Sequence, residues 1–529
     1  LGGVFLGNLA VVGGFRRPFY SRVTLELTYT DPLGRYLDLT GQRDAEGNLL
    51  TSNPETGGRY HSAWLSMMYP RLFIARQLLR EDGVIFVSID DHEVHNLRMV
   101  MNEIFGEENF VATIIWQKIF APKNTARHFS EDHDYILVYA HNAEIWRPNL
   151  LPRNEDTDAR YQNLDNDPRG LWSSGDLTAR NYYSEGQYEV TSPSGTKFLS
   201  PRGRYWVVNE ERFLELDRDN RVWWGESGGN MPRRKRFLSE VQQGIVPQTL
   251  WKYEDVGHTQ EAKKELLAYV AFGETENVLN TVKPPRLLQR MLQIGTNASD
   301  SDIVLDFFSG SASTAHAVLA QNHEDNGNRR FIMVQFPEPL PKPEANLKTI
   351  ADIGTERIRH FIRQAQGDRN GQMTMDLRPD EDLGFRVFKL APSHIRPWRG
   401  VEDATPEAYA GQMALFDDPL VAGWTVDGLA YEIALKEGYG LNSIINPHPA
   451  PEIPAIPPPL AGEGKRVGVF RITDPDKAQS LTLCLADAVP PDIIAALGLA
   501  QDDLFICRDA ALTDDLAANL ALQCRIKTI

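Results

Sequence analysis

The sequence predicts an α/β protein built around a parallel sheet, and two stretches carry this prediction. Residues 303–314 have the pattern of a buried strand, a tight turn and the start of a helix. Residues 84–89, V-I-F-V-S-I, form an apolar run suited to a parallel strand covered on both faces. Helical spacing of apolar residues over 64–79 precedes that strand, and Pro70 should either kink this helix or begin a second one.

The most informative stretch is residues 303–319, I-V-L-D-F-F-S-G-S-A-S-T-A-H-A-V-L. A strand, turn and helix in this order present backbone N–H groups and a carboxylate to a small polar ligand. A dinucleotide fingerprint needs three glycines as G-x-G-x-x-G, and this stretch has Gly310 alone. The G-K-[ST] ending of a phosphate loop is also missing. The competing interpretation is an ordinary turn in which Ser309 or Ser311 caps the helix.

Two further segments flank that turn in the sequence. Residues 330–338, R-F-I-M-V-Q-F-P-E, are expected to form the next buried strand, with Glu338 at its carboxyl end. An acid in that place commonly accepts a hydrogen bond from a ribose hydroxyl. Asp90 to Glu93 follow the strand at 84–89 and are expected to act as helix caps rather than as catalysts.

Composition narrows the function classes. The chain has 529 residues, 42% of them hydrophobic, and a formal net charge of −17. No apolar run is long enough to span a bilayer, so we expect a cytoplasmic protein with no membrane partner. The negative charge disfavours nucleic-acid binding over the whole surface, so any DNA contact should be local. Three cysteines without metal-ligand spacing predict buried free thiols and no metal site: Cys484, Cys507 and Cys524.

The middle of the chain has a different amino-acid composition. Residues 110–260 are rich in Trp, Tyr, Arg and Asn and contain short strand-like runs without long helical periodicity. Basic clusters at 118–127, 202–206 and 233–236 with interleaved aromatic residues supply the stacking and phosphate-binding chemistry of DNA recognition. The alternative is a small aromatic core with a solvated charged surface.

The chain as a whole resembles a known family. The phrase D-F-F-S-G-S at 306–311 is similar to the S-adenosylmethionine motif of amino-methyltransferases, although Ala312 stands where a second glycine is usual. From about Tyr29 to Ile529, the order of motifs resembles the modification subunit of type III restriction–modification systems, a β-class adenine-N6 DNA methyltransferase. The matching stretches are 40–42, 61–65, 82–91, 105–110, 246–251, 283–285, 306–314, 384–390 and 519–523.

The resemblance implies a fold and a set of site residues. The fold would be a Rossmann-like S-adenosylmethionine-dependent methyltransferase sheet with permuted motif order, an inserted DNA-recognition domain and a C-terminal α/β domain. The corresponding parts are 1–109, the N-terminal half of the methyltransferase domain; 110–265, target recognition; 266–370, the cofactor-binding half; and 371–529, dimer or partner contacts. The implied S-adenosylmethionine site consists of Asp306, Phe308, Gly310 and Ser311 as lining, Lys283 and Pro284 as a cover, and Glu338 for the ribose. The implied partners are double-stranded DNA, a second copy in a homodimer, and a restriction subunit with helicase and nuclease activity.

The family's catalytic tetrapeptide, D-P-P-Y, does not occur in this sequence. In the family, its Asp and a backbone carbonyl accept the hydrogens of the adenine amine, and its Tyr stacks on the flipped base. Asp-Pro pairs begin at residues 31, 167, 418 and 474, but none of them is followed by the second proline of the tetrapeptide. The most similar run is Arg17 to Tyr20, which has a cation at the position where a hydrogen-bond acceptor is needed. The catalytic residues are therefore unassigned, and we expect residues 1–28 to come from a truncated or frame-shifted start.

Three functions compete at this point. The leading hypothesis is a site-specific DNA adenine-N6 methyltransferase, with cytosine-N4 methylation as a variant. The second is a catalytically inactive DNA-recognition and scaffold subunit, because D-P-P-Y is absent. The third is a nucleotide-dependent oxidoreductase, which the missing glycines oppose. The recognised bases depend on which side chains reach base edges, and a fold is needed to identify them.

Overall fold

The computed structural model of the protein describes residues 9–12, 59–122, 124–153, 158–241, 244–367, 381–396, 405–414, 419–447, 468–474, 477, 479–486, 488–489 and 491–529. These residues form two compact units, one ending at Phe385 and the other running from Arg386 to Ile529.

The first unit alternates helices and strands. Its helices are α1 (Arg59–Leu78), α2 (Val94–Phe105), α3 (Glu210–Arg218), α4 (Tyr253–Val256), α5 (Thr259–Tyr269), α6 (Pro285–Gly295), α7 (Ser313–Asp325) and α8 (Ile350–Ala365). Its strands are β1 (Leu9–Val12), β2 (Val84–Ile89), β3 (Phe110–Gln117), β4 (His133–Ala140), β5 (Trp172–Asp176), β6 (Thr178–Ala179), β7 (Val190–Thr191), β8 (Lys197–Phe198), β9 (Tyr205–Trp206), β10 (Val222–Trp223), β11 (Arg233–Phe237), β12 (Leu250–Trp251), β13 (Ile303–Asp306) and β14 (Arg330–Met333).

A seven-stranded mixed sheet in the order β12-β3-β4-β2-β1-β13-β14 organises the first unit. Strands β13 and β14 are parallel, with Asp306 opposite Met333. Strand β1 is antiparallel to both of its neighbours, and Ala10 lies opposite Asp306 on one side and Phe86 on the other. Because β2 and β13 are both antiparallel to β1, they run in the same direction. Their carboxyl ends, with that of β14, therefore lie at one edge of the sheet, which we call the carboxyl edge.

Apolar layers cover both faces of this sheet. Alternate residues of β2 belong to different core clusters: Val84 and Phe86 pack with α6 and α7, whereas Ile85 and Val87 pack with α1 and α2. Every residue of β2 is buried, as a central strand requires. Helix α1 continues through Pro70, so the predicted helical stretch is one helix. The α/β prediction is confirmed, but the sheet is mixed, and β2, which was expected to be a parallel strand, is antiparallel to both of its neighbours.

The segment 158–241 lies outside the seven-stranded sheet. It contains a three-stranded antiparallel sheet, β10-β11-β5, and the antiparallel pairs β6-β9 and β7-β8. Its core includes Leu177, Val190, Trp206, Phe213, Leu216, Val222 and Trp224. Strands β3 and β4 belong to the large sheet, so this outlying segment starts later than the boundary at 110 expected from composition. Strand β4 lies between β2 and β3 and ends in five consecutive buried residues. This apolar run was not recognised in the sequence because aromatic and polar residues surround it.

Strand β11 separates the basic cluster at 233–236 into buried and exposed residues. Lys235 is buried, forms an ion pair with Asp165, lies 3.3 Å from Asp167 Oδ2, and faces the Trp172 ring. Its charge is therefore part of the local structure. Arg234 and Arg236 alternate with it, are exposed, and form no ion pair within the segments that the structure describes.

The second unit is also α/β. Its helices are α9 (Pro406–Ala414), α10 (Val426–Lys436), α11 (Pro491–Leu497) and α12 (Asp514–Ala521), and its strands are β15 (Ile444–Pro447), β16 (Val469–Thr473), β17 (Leu481–Cys484), β18 (Leu504–Cys507) and β19 (Arg525–Thr528). The sheet order is β15-β16-β17-β18-β19, with the last three strands parallel. The three cysteines are free and buried, and Cys484 lies opposite Cys507. Leu383, which precedes this unit, packs in the first one.

Across the described parts of both units, no helix is long and apolar enough to cross a membrane. The longest of them, α1, has 20 residues and carries Arg71 and Arg76 in its second half.

Candidate functional site

The turn between β13 and α7 lies at the carboxyl edge of the sheet, where the sequence predicts a ligand site. Gly310 has φ +51° and Ala312 has φ +55°, so the chain passes through two left-handed residues before the helix begins. Ser309 N donates to Val334 O at 3.2 Å, and Ala312 N donates to Ser309 O at 2.7 Å. The first bond ties the turn to the segment after β14, and the second closes the turn itself. Left-handed backbone costs a residue with a Cβ about 1 kcal/mol, so Ala312 is strained where Gly310 is not.

Asp306 closes β13 and is completely buried. Its carboxylate accepts hydrogen bonds from Thr314 Oγ1 at 2.5 Å and from Phe308 N at 3.1 Å. Burial raises the pKa of Asp306 to about 7 in spite of these two donors. A carboxyl group with a strongly shifted pKa at a sheet edge is a typical functional candidate.

The solvent reaches the turn through its first half. Phe307, Phe308 and Gly310 are partly exposed, whereas Ser309 and Ser311 are buried. The Phe307 and Phe308 rings lie 5.3 Å apart and pack against the α1 side of the core. A planar ligand such as a nucleobase would meet aromatic rings here.

The segment after β14 contributes a contact to the turn that the sequence did not single out. The predicted strand at 330–338 ends at Met333, and the Glu338 side chain is exposed. The backbone of Glu338 is tied to the start of α8, since Ile350 N donates to Glu338 O at 3.0 Å. Gln335 contacts the turn instead, because its Oε1 accepts from Gly310 N at 2.7 Å. Its position just after a parallel neighbour strand is the signal that sequence reasoning missed.

Lys283 pairs with a carboxylate of the sheet. Its Nζ lies 2.8 Å from Asp134 Oδ2 and 4.5 Å from the centre of the Trp116 ring. Lys118 shares the same carboxylate at 2.7 Å. Burial alone would raise the pKa of Asp134, but the attraction of Lys283 and the hydrogen bonds from both lysines lower it. Lys283 therefore fastens the start of α6 to β4.

Pro284 has a comparable packing role. It precedes α6, is buried, and stands 2.9 Å from where a Cβ on Gly257 would be. Gly257 has φ +80° and accepts from Trp116 Nε1 at 3.0 Å. The polar and packing contacts of Lys283 and Pro284 thus run to β3, β4 and the α4–α5 connection, and their predicted role as a cover for the cofactor stays a prediction.

Helix α8 supports the turn from its buried side, which the sequence did not reveal. Arg357 Nη1 donates to Ser313 Oγ at 2.7 Å and to Ser311 Oγ at 3.2 Å. A Cβ on Gly354 would stand 3.1 Å from the Ala312 methyl group, so this methyl faces α8. Ala312 is 3% exposed and packs in the core. Its methyl group therefore lies on the opposite side from the exposed half of the turn.

A second polar group lies beyond the end of β2. Glu93 is buried and accepts from Asn96 Nδ2 at 2.8 Å, and His61 Nδ1 lies 2.5 Å from its other oxygen. Glu93 precedes α2 but makes no side-chain cap bond, so it differs from the expected cap. The His61–Glu93 pair connects the start of α1 to the carboxyl edge. The run most similar to the catalytic tetrapeptide, Arg17 to Tyr20, lies outside the described residues.

Comparison with known proteins identifies the family of the chain. A sequence profile described as DNA methylase, for the N6 and N4 methyltransferases, matches residues 53–367, the span that holds α1 to α8 and the turn. The chain belongs to the DNA methylase family. Its match includes every helix that covers the seven-stranded sheet.

The relatives of the chain include modification subunits of type III restriction-modification enzymes. It is 36% identical over 362 residues to the Mod subunit of the type III restriction-modification enzyme StyLTI of Salmonella typhimurium, covering 67% of this chain and 52% of that protein. It is 27% identical over 443 residues to the EcoP15I Mod subunit of Escherichia coli, covering 72% and 60%. The chain thus spans about half the length of the curated relatives it matches. The resemblance to type III modification subunits is confirmed.

A solved structure gives a weaker likeness. The crystal structure of TTHA0409, a putative DNA modification methylase of Thermus thermophilus complexed with S-adenosyl-L-methionine, is 13% identical, with a TM-score of 0.27 over 61% of this chain and 86% of that one.

The Ala312 methyl group and Gly354 should be energetically coupled. Ala312→Gly relieves about 1 kcal/mol of backbone strain but loses about 0.8 kcal/mol of stabilisation from the buried methyl group. The two effects on stability nearly cancel. Gly354→Ala should destabilise, because its Cβ would stand 3.1 Å from the Ala312 methyl and 3.3 Å from Gly310 O. Thermal unfolding of both single variants and the double variant should show that Ala312→Gly recovers about 1 kcal/mol of the Gly354→Ala loss. Strict additivity would mean that the two residues do not press on each other.

The Asp306 carboxyl group should make stability depend on pH with an unusual sign. An aspartate in the unfolded chain titrates near about 3.9, and this one titrates at about 7 in the fold. The folded state holds the proton more tightly, so the free energy of unfolding falls as pH rises between those two values. Asp306→Asn should therefore gain Tm relative to the parent as pH increases from about 5.5 to about 7, with no further gain above about 8.

Thermal unfolding of the first unit across that pH range checks the expectation. Asp515→Asn, a change at the first turn of α12 in the second unit, is the matched control and should not alter the pH profile of the first unit. A constant Tm difference between Asp306→Asn and the parent would show that Asp306 does not titrate in this range.

Proposed function

We propose that this chain is the modification subunit of a type III restriction–modification system, a site-specific DNA methyltransferase that methylates adenine N6 with S-adenosylmethionine. The observation that carries the proposal is the buried Asp306 and the partly exposed turn after it, at the carboxyl edge of a DNA methylase sheet. Polar ligands of α/β sheets bind at this edge. The named relatives, all Mod subunits or methyltransferases, support the same activity.

The residues of the turn fit S-adenosylmethionine. Phe307 and Phe308 offer aromatic surface to an adenine, and Asp306 offers a buried carboxylate that can accept hydrogen bonds once ionised. In the proposal, Asp306, Phe308, Gly310 and Ser311 line the site. Lys283 and Pro284 cover it, and Glu338 binds the ribose. When bound, the cofactor supplies an electrophilic methyl group.

The chain's own residues fix the shape of this site. Gln335 accepts a hydrogen bond from the Gly310 N–H and so fixes the direction of that amide, while the two Phe rings contribute apolar surface. Adenine's exocyclic amine is a poor nucleophile because its lone pair is delocalised into the ring. It needs an acceptor for its hydrogens, placed next to the methyl donor. That acceptor is unassigned, since D-P-P-Y is absent from the sequence.

A second candidate function has its own support. A DNA-recognition and scaffold subunit without catalysis would keep the sheet and lack the tetrapeptide, as this sequence does.

Partners and domain roles complete the proposal. We assign target recognition to the part of 110–265 outside the large sheet, the cofactor-binding half to 266–370, and dimer or restriction-subunit contacts to the C-terminal part from 371. The DNA-facing surface is the exposed part of β11, where Arg234 and Arg236 stand beside Gly175. Gly175 leaves room for Arg236, whose Nε lies 2.9 Å from the place of a Cβ there. A homodimer in the cytoplasm, working with a helicase–nuclease subunit, is the expected assembly.

Introducing the tetrapeptide should raise the rate of methyl transfer. The double change Arg17→Asp and Phe19→Pro converts the run at 17–20 to D-P-P-Y. We expect this variant to transfer tritiated methyl from S-adenosylmethionine to mixed-sequence duplex DNA at least about a hundredfold faster than the parent, because a cation cannot accept amine hydrogens.

Nucleoside analysis of the product separates N6-methyladenine from N4-methylcytosine. Equal activity in parent and variant would show that another residue accepts the amine hydrogens. Silence in both proteins, with cofactor and DNA still bound, would favour the scaffold function.

The exposed arginines of β11 should contribute phosphate contacts. Changing Arg234 and Arg236 together to Ala should lower DNA affinity at low salt and reduce the slope of log affinity against log salt by about two, one unit for each lost contact. Lys197→Ala, which removes an exposed cation already paired with Glu189, is the matched control and should leave the slope unchanged. The measurement is a fluorescence-anisotropy titration at several salt concentrations. An unchanged slope in the double variant would exclude this strand from the DNA surface.

A further inference from the structure

Arg357 is a completely buried cation next to the turn. Its Nη1 donates to the hydroxyls of Ser311 and Ser313, and its Nη2 lies 3.3 Å from His316 Nδ1. Its Nε, which is also buried, has no hydrogen-bond partner in the described parts of the chain. Burying a guanidinium with an unused donor is costly, so such a group normally has a further role.

The surroundings of Arg357 do not neutralise it by direct contact. No carboxylate of the described residues lies within 4.0 Å of its guanidinium. Glu265 of α5 interacts electrostatically with Arg357 from a greater distance. Burial raises the pKa of Glu265 and so disfavours its ionised form. Burial, assisted by Arg357, lowers the pKa of His316 to about 3, so His316 is neutral. Positive charge is therefore held next to the turn without a contact ion pair.

The start of α7 adds positive potential at the same place. Its N-cap is Ala312, and no side chain caps the helix. Ser313, Thr314 and Ala315, the first helical residues, are buried, so water does not replace the missing cap. The first N–H groups of a helix have no partner inside it and carry partial positive charge. Asp306, which accepts from Thr314 Oγ1, is the acid in contact with this helix start, and its raised pKa leaves it only partly ionised near neutral pH.

A buried guanidinium and an uncapped helix start together suit an anion. S-adenosylmethionine has one anionic group, the carboxylate of its methionine part. Lys283 is the other cation assigned to this cofactor, but Asp134 already lies 2.8 Å from it. Among the residues that the structure describes around the turn, Arg357 is the buried cation without a contact carboxylate.

We propose that Arg357 is a positioning residue for the cofactor's carboxylate: acting through the Ser311 to Ser313 turn, it supplies the positive charge that holds this carboxylate at the turn. Arg357 does not touch the cofactor, because Ser311 and Ser313 stand between it and the exposed half of the turn. The inference rests on the proposed function, since it needs an S-adenosylmethionine site at this turn.

The test compares two ligands that differ at the carboxylate end. S-adenosylhomocysteine has the amino and carboxyl groups, whereas 5′-methylthioadenosine has the same nucleoside and thioether without them. Calorimetric titration of the full chain gives the dissociation constant of each ligand for the parent, Arg357→Met, Arg357→Lys and Lys283→Met. Arg359→Met, an exposed arginine of the same helix, is the matched control.

Selective loss is the expected result. Arg357→Met should weaken S-adenosylhomocysteine about tenfold and leave 5′-methylthioadenosine within about twofold, because only the first ligand has a carboxylate to hold. Arg357→Lys should recover part of the affinity, since it keeps the charge. A Ser311→Ala and Ser313→Ala double variant keeps the cation but removes its link to the turn, and it should show a weaker selective loss. It also tests the inference if Arg357→Met does not fold.

Other outcomes overturn specific statements. Equal weakening of both ligands would mean that Arg357 only maintains the shape of the turn. Selective loss in Lys283→Met, with Arg357→Met unchanged, would place the carboxylate at the Lys-Pro turn. If the parent binds neither ligand, the proposed cofactor site itself is wrong, whereas binding by the parent without any selectivity in the variants refutes the role of Arg357 alone.

Discussion

The connection between β13 and α7 is the constraint on which the site depends. The chain has to leave a buried strand and begin a buried helix within residues 307–312, and it achieves this through left-handed backbone at Gly310 and Ala312. Both sides of the connection are closed, since Gln335 holds the Gly310 amide and α8 packs against the Ala312 methyl. The exposed half of the turn is what remains, and its position follows from these contacts rather than from its own sequence.

Buried charges in the first unit fall into two kinds. Lys283 with Asp134 and Lys235 with Asp167 are ion pairs that fix one element against another. Removing one partner of such a pair leaves an uncompensated buried charge, so these residues contribute to the fold. Asp306 and Arg357 are held by neutral hydrogen-bonding groups, without an ion pair to each other. Groups kept in this state are costly for folding and are typical of functional sites.

Much of the architecture could be predicted from local patterns. The apolar run at 84–89 became a strand with those bounds, and the run at 303–306 became β13, because continuous apolar stretches bounded by turn residues determine central strands. The composition of residues 110–140 led to a predicted domain boundary at 110, because the aromatic and polar residues around β3 and β4 resemble those of the outlying segment. Gln335 and Arg357 could not be predicted, because their roles depend on contacts with residues 25 and 44 positions away. Glu338 was predicted from a strand that ends earlier, at Met333.

The three cysteines of this chain all lie in the second unit, and this gives the molecule a built-in reporter. They are buried, and burial raises the pKa of the Cys507 thiol to about 12. A thiol in that state is almost entirely protonated and shielded, so alkylating reagents react with it slowly until the surrounding sheet opens. The rate of thiol modification therefore measures the local opening of the C-terminal sheet, in which all three thiols lie.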